Sequence, residues 1–404
     1  MTGMSLAASI IIVTYHSSSH IEACLRSALS QTADVEYEVI VVDNASADDT
    51  VARARAHAPA VRLIRLDENL GFAGGVNRGV AAAQGDRIAL LNPDAEARPD
   101  WLRHILAPLD DSSVGVAGGK VLHLDGRIQS VGGTLDAQLL LPAYRGEGEA
   151  DQGQYDAPTD VWSAHGAAMA FRRNVWDALG GFDESYFPAY LEESDFCERA
   201  RRAGYRVITA PAAIAQHHES TTTGKGSPQF LFYFLRNRLR YATKWLGWPA
   251  LWNDFRRAEH GRLGEVSLLE RRVARLTYEA GVPPDRRLTA SERERVLQIG
   301  QALRDGHLPA DGIDELTRLI DEAERESVHR ETTFRSRVPL LAGLRTRWNN
   351  VATRWYVRPN LDQQTRCNLA LARAARLMSE QLAARAAADA LDAALLAWRI
   401  EHEL

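Results

Sequence analysis

Val39-Ile40-Val41-Val42-Asp43-Asn44-Ala45-Ser46-Ala47-Asp48-Asp49 is the stretch on which the fold of this chain turns. Four β-branched residues in a row read as a strand buried on both faces. The strand runs straight into a carboxylate, a carboxamide and a set of cap-type residues, so a helix begins just after it near Val51. The positive end of that helix faces the C-terminal edge of the sheet, where sheets of this kind bind ligands. Working outward, short apolar runs at 9–13, 61–66, 87–91 and 114–120 alternate with helix-like stretches at 21–30, 49–57 and 76–84. That alternation predicts an α/β fold with a mostly parallel sheet flanked by helices.

The chain has 404 residues, 45% apolar and 25% charged, which fits two ordinary globular domains and excludes wholesale disorder or a disulfide scaffold. Its formal charge of −5 argues against a nucleic-acid partner held through overall charge. Cys24, Cys197 and Cys367 are far apart with no CxxC pair, so the expected setting is reducing and cytoplasmic. The apolar run 6–13 has no basic leader and enters a loop of hydroxyl residues, and no apolar stretch reaches the roughly 18 residues of a membrane span, so neither a signal peptide nor a spanning helix is expected.

The two parts of the chain differ. Residues 1–250 hold 23 basic and 30 acidic side chains, and residues 251–404 hold 25 and 23. From Phe230 onward, apolar residues recur at spacings of three and four over 228–246, 268–279, 291–304, 314–326, 341–357 and 361–403, broken by glycine and proline. These predict an all-α C-terminal domain over 251–404 after an α/β domain over 1–250. The last segment would form a helix roughly 60 Å long, suited to a bundle or coiled-coil arm, and self-association through it is expected. Residues 330–358 carry seven Arg against one acid, with Phe334, Trp348, Trp355 and Tyr356 between them. Such a segment either packs its apolar stripe in a bundle or lies on an anionic membrane surface.

The acidic residues at strand ends carry the chemistry. Asp43 follows a buried strand, where it can accept hydrogen bonds from a nucleobase or ribose or else close a turn. Asn69-Leu70-Gly71-Phe72-Ala73-Gly74-Gly75-Val76-Asn77-Arg78-Gly79 reads as a glycine-rich turn opening a helix, whose backbone N–H groups can approach a diphosphate. It is not GxGxxG and follows the third strand, which counts against a dinucleotide fold. Asn92-Pro93-Asp94-Ala95-Glu96 ends a strand in hard oxygen ligands of the kind that hold Mg²⁺ or Mn²⁺ beside a diphosphate. Glu192-Glu193-Ser194-Asp195 places three carboxylates in four residues, which suits a general base with a raised pKa and also complements a helix dipole. His217 follows a strand predicted over 205–210 and a loop containing Pro211, and it gains a role as a further ligand of a metal at Asp94.

Taken in order, Ile12-Val13-Thr14-Tyr15, Val41-Val42-Asp43-Asn44-Ala45-Ser46, Asn69-Leu70-Gly71-Phe72, Leu91-Asn92-Pro93-Asp94, Gly166-Ala167-Ala168-Met169, Gly181-Phe182-Asp183-Glu184, Glu192-Glu193-Ser194-Asp195 and Arg236-Asn237 resemble the family 2 glycosyltransferases, in particular the bacterial rhamnosyltransferase-like branch. The resemblance covers residues 8–250. It implies a GT-A fold, a nucleotide-sugar donor such as a dTDP- or UDP-sugar, a divalent cation and an inverting single displacement. It implies that Thr14, Tyr15 and Asp43 hold the nucleobase and ribose, with Asn69, Gly75 and Asn77 in the donor loop. It further implies that Asp94, the last position of an Asp-x-Asp motif whose first carboxylate is here Asn92, holds the metal with help from His217. Glu193 takes the general-base position, a Glu where Asp is commoner. A glycan or glycolipid acceptor, a deoxyhexose donor such as dTDP-rhamnose, and peripheral contact with the inner face of the cell membrane complete the implied setting. A sugar-nucleotide nucleotidyltransferase and a non-catalytic scaffold built on a decayed domain are the competing readings. The hydroxyls and His of 14–22 argue against the first, and intact Asp43, Asp94 and Glu193 argue against the second.

Overall fold

A computed structural model describes residues 6–218, 227–247 and 249–267, together with 270, 271, 273, 274, 277, 278, 369, 371 and 373–378. The chain divides into two compact units, residues 1–259 with 277–301, and 260–276 with 302–404. Most of the predicted C-terminal helices, including the Arg and aromatic segment 330–358 and nearly all of 361–403, lie outside the described residues.

The first unit is built on a mixed sheet. Its strands are β1 (Ala8–Thr14), β2 (Tyr37–Asp43), β3 (Val61–Arg65), β4 (Arg87–Leu91), β5 (Ala95–Ala97), β6 (Val114–Leu122), β7 (Ile128–Ser130), β10 (Ala168–Arg172) and β11 (Arg206–His217), while β8 (Gly133–Leu135) and β9 (Pro142–Tyr144) form a separate hairpin. The order is β3-β2-β1-β4-β10-β6-β11-β5, with β7 beside β6. Strands β3, β2, β1, β4, β6 and β11 share one direction, and β10 is inserted against it between β4 and β6.

The all-apolar strands bury both faces, as their sequence requires. Ile10, Ile12, Val39 and Val41 point into one core with Ile21, Cys24 and Leu25 of α1 (Ile21–Leu29), Ala54 of α2 (Thr50–Arg55), and Trp101 and Ile105 of α4 (Trp101–Leu106). Alternate residues Ile11, Val13, Ile40 and Val42 point into the other core with Val76 and Val80 of α3 (Gly71–Ala82), Trp176 of α5 (Arg173–Leu179), and Phe196 and Cys197 of α6 (Glu192–Arg202). Each buried Val, Ile, Leu or Phe among these contributes about 1.5–3 kcal/mol. The following helix, α7 (Pro228–Trp245), starts with Pro at its first position and Ser227 Oγ accepting the Phe230 N–H at 3.1 Å.

Two local expectations are corrected. The glycine-rich stretch is not a turn: α3 begins at Gly71, and Gly74, Gly75 and Gly79 lie inside it. A Cβ on Gly75 would stand 2.5 Å from Val13 Cγ1, and one on Gly79 2.6 Å from Ile11 Cγ2, so these glycines let the helix lie directly on β1. The second correction concerns Pro211, which sits within β11 and not in a loop after it. The register against β6 shifts between Ala210 and Ile214, and that irregularity is what admits a proline to the interior of a sheet.

Candidate active site

The parallel strands deliver Thr14, Asp43 and Asn92 to one edge of the sheet. Thr14 and Asp43 are fully buried neighbours: Thr14 Oγ1 donates to Asp43 Oδ1 at 3.1 Å, and Asp43 Oδ2 accepts the Ser46 N–H at 3.1 Å. In this arrangement both oxygens of Asp43 have partners, and the carboxylate organises the loop after β2. Its neighbour Asn44 bridges to α3, donating to Gly71 O at 3.0 Å and accepting from the Leu70 N–H at 3.2 Å. Tyr15, by contrast, is 36% exposed and its ring stacks on His16 at 4.1 Å, which leaves an aromatic surface at the rim. His16 and Ala45 both have positive φ, 50° and 59°, so the loops after β1 and β2 turn sharply at the same edge, tied by the His16 N–H donating to Ser46 Oγ at 2.9 Å.

Three residues expected in the donor loop have partners within the fold. Asn69 Oδ1 accepts the Gly71 N–H at 2.8 Å. Gly75 is a buried packing position against Val13 and Asn44. Asn77 clamps the segment after α5: its Nδ2 donates to Phe182 O at 3.0 Å and Glu184 Oε1 at 2.9 Å, and its Oδ1 accepts the Phe182 N–H at 3.0 Å.

Asp94 and His217 do meet. Pairing of β5 with β11 places His217 opposite Ala95, and His217 Nε2 stands 3.1 Å from Asp94 Oδ1. The other ring nitrogen, Nδ1, is 3.0 Å from Oε1 of the buried Gln129 on β7. With Nδ1 turned to Gln129, Nε2 is the ring nitrogen that faces Asp94, and Asn92 Nδ2 lies 3.4 Å from it. A ligating His is held in this way, with one nitrogen toward the metal and the other on an outer partner. Two atoms bound side by side to Mg²⁺ or Mn²⁺ at about 2.1 Å lie about 3 Å apart, so the pair fits a divalent cation. Among the described residues no group of three or more His, Cys, Asp or Glu could hold a metal. Sequence reasoning did not foresee Gln129, which carries no local signal.

The carboxylates of α6 have three different fates. Asp195 is buried and paired with Lys244 Nζ at 2.7 Å and Arg199 Nε at 2.9 Å, and it accepts the Trp245 Nε1–H at 3.0 Å. Lys244 also pairs with Asp183 at 2.9 Å. Burial alone would raise the Asp183 carboxyl, but the Lys244 charge and Ser185 hold it well below the ordinary range. Glu192 is 3% exposed, and its Oε2 has no hydrogen-bond partner. Burial first and the charge of Glu193 second push its pKa well up. Glu193 is half-buried, accepts from Ser194 Oγ at 3.3 Å, and has its pKa raised by burial. Its side chain packs over Gly166, where an added Cβ would lie 3.6 Å from Glu193 Cγ. One residue on, Ala167 O accepts the Asn92 N–H at 3.0 Å. Glu193 therefore stands at the sheet edge that carries Asp94, a raised-pKa carboxylate near a cation-competent pair.

A mixed sheet of this order flanked by helices is a GT-A-like domain. The sequence model described as glycosyl transferase family 2 matches residues 9–180. An uncharacterized protein of Sinorhizobium fredii is 32% identical over 227 residues, covering 54% of this chain and 25% of that protein. The N-acetylglucosaminyl-diphospho-decaprenol L-rhamnosyltransferase of Mycobacterium tuberculosis is 28% identical over 248 residues, covering 54% of this chain and 77% of that enzyme. Among solved structures, S. aureus TarS 1–349 superposes with a TM-score of 0.46 at 19% identity, over 81% of this chain and 93% of that one.

Proposed function

We propose that the protein is an inverting glycosyltransferase. It would move a sugar, with a deoxyhexose such as rhamnose favoured, from a nucleoside-diphosphate donor to a hydroxyl of a glycan or glycolipid acceptor. The observation that carries this reading is Glu193, a carboxylate of raised pKa packed over Gly166, at the same edge as the Asp94–His217 pair. The rhamnosyltransferase relative supports the donor class and a lipid-linked acceptor.

Glu193, deprotonated, takes the proton of the acceptor hydroxyl as that oxygen bonds to the anomeric carbon. The bond from that carbon to the diphosphate oxygen breaks on the opposite face, so configuration inverts and the electron pair leaves with the nucleoside diphosphate. Asp94 and His217 would hold the divalent cation, which would supply stabilisation of the charge on the departing diphosphate. In this reading the nucleobase lies at the edge carrying Thr14 and Asp43, and the support is the exposed Tyr15 ring beside their buried hydrogen bond. Work at the inner face of the cell membrane and self-association through 361–403 belong to the same proposal and rest on sequence pattern. No helix among the described residues is long and apolar enough to cross a membrane.

The test is donor consumption with Mn²⁺ across UDP-, dTDP- and GDP-sugars, followed by Glu193→Gln with the donor that is used. Transfer should be abolished with donor affinity unchanged. Retained turnover, or loss of donor affinity in place of turnover, contradicts the assignment of the base.

A further inference from the structure

Glu193 lies two residues after an unusual piece of backbone. Tyr190 and Leu191 have φ of 85° and 74°, two consecutive non-glycine residues in the left-handed region. Each costs about 1–3 kcal/mol and persists only where its surroundings impose it. Leu191 is the residue that caps α6, and its carbonyl accepts the Asp195 N–H at 2.8 Å. The dihedrals of 190 and 191 therefore set the direction in which the first turn of α6, and Glu193 with it, leaves the loop.

What imposes them comes from α7. Asn237 is 1% exposed, and its Nδ2 lies 2.8 Å from Tyr186 O, 2.8 Å from Ala189 O and 3.1 Å from Tyr190 O. Arg236, its neighbour, donates to Phe187 O. From the other side the Phe72 N–H donates to Pro188 O at 2.7 Å, and Gly71 leaves no room for a side chain there, its Cβ position being 2.7 Å from the same oxygen. The loop 186–191 is thus gripped between α3 and α7, with one carboxamide bonded to three of its carbonyls. An amide nitrogen carries two hydrogens on a small planar head. Aspartate has the same shape and neither donor, and serine has one.

We propose that Asn237 is a positioning residue for the base: it holds Tyr190 and Leu191 left-handed and thereby aims Glu193 at the acceptor hydroxyl. The inference rests on the reading of Glu193 as the base. Asn237 touches no reacting atom, so its loss should act through geometry. A rotation of roughly 15° at 190–191 carries the Glu193 carboxyl about 1 Å, a misplacement worth on the order of a hundredfold in rate.

The experiment uses the full chain with Asn237→Ser, Asn237→Asp, Glu193→Gln and the Glu193→Gln/Asn237→Ser double variant, assayed with Mn²⁺ and the sugar nucleotide that the wild type consumes from the UDP, dTDP and GDP panel. Asn237→Ser and Asn237→Asp should each lower kcat roughly a hundredfold with the donor KM within about twofold. The double variant should be no slower than Glu193→Gln alone, because a base that is absent cannot be misaimed. A crystal structure of Asn237→Ser, which needs no substrate, should show Tyr190 or Leu191 outside the left-handed region. Unchanged kcat, rate losses that multiply in the double variant, or retention of both positive φ values would overturn the proposal. Failure of both Asn237 variants to fold would also overturn it, since the carboxamide would then support the fold at large. If Glu193→Gln turns over like the wild type, the base assignment falls first, and that result is separate from the Asn237 outcomes.

Discussion

Replacing Gly75 by alanine separates a packing glycine from a phosphate-binding one. The added methyl would sit 2.5 Å from Val13 Cγ1, 3.0 Å from Asn44 Nδ2 and 3.3 Å from Val13 Cγ2. Carbon atoms in contact prefer about 3.5–4.0 Å, so α3 must lift from β1 by about 1 Å or Val13 must leave its rotamer. Overpacking of this kind costs about 1–3 kcal/mol, while exchanging glycine for alanine in a helix interior returns about 0.5–1 kcal/mol. The net expectation is a destabilisation of about 1–2 kcal/mol. Urea unfolding followed by tryptophan fluorescence reads it directly, since Trp101 and Trp176 are buried in the two cores of the first unit. Gly79→Ala, one turn further along the same face, should behave alike through Ile11 Cγ2 at 2.6 Å, and the double variant should cost less than the sum because the first methyl has already raised the helix. A Gly75→Ala protein that unfolds at the wild-type midpoint but binds donor more weakly would refute the packing argument and restore the phosphate-loop reading.

Two further outcomes follow from the buried polar groups. Because the folded protein keeps a proton on Glu192 that the unfolded chain releases, this group's contribution to stability falls as pH rises from the ordinary Glu range toward its raised value. Glu192→Gln, which mimics the protonated acid, should therefore raise the thermal midpoint at pH 7.5 and leave it unchanged at pH 4; an equal shift at both pH values would contradict the linkage. Gln129→Leu should weaken Mn²⁺ binding by about 10–100-fold in titration calorimetry, the usual effect of removing the partner that orients a ligating His, and unchanged affinity would remove Gln129 from that role.

The α/β alternation was readable because the strands are apolar on both faces, and the run 39–42 admits no other reading. Asp94 and His217 could be linked in the sequence only as metal-ligand types; the register of β5 against β11 then brought residues 123 positions apart to 3.1 Å. The glycines of α3 misled because glycine is a poor helix former by itself, and close approach to β1 outweighed that propensity. Pro211 misled for a similar reason, its missing donor being absorbed by the irregularity in β11. Gln129 left no pattern to read, and Asn237 was marked only as half of an Arg-Asn motif with no role attached. Their value lies in partners 88 and about 50 residues away, and nothing in the identity of a lone carboxamide announces such partners.

The reversed strand β10 has a consequence for how the domain can be modified. Strand β6 runs toward the site edge and β10 runs away from it, so the chain departs at Leu122 and returns at Ala168 on the same rim. Everything between, including the β8–β9 hairpin and Gln129, is a cassette whose two ends are anchored in finished sheet. None of its strands pairs with β1, β2, β3 or β4, so a change of length in the β8–β9 hairpin leaves the register of those strands untouched. The rim and the parallel half of the sheet are thus separable in their strand pairing, although they are continuous in the chain.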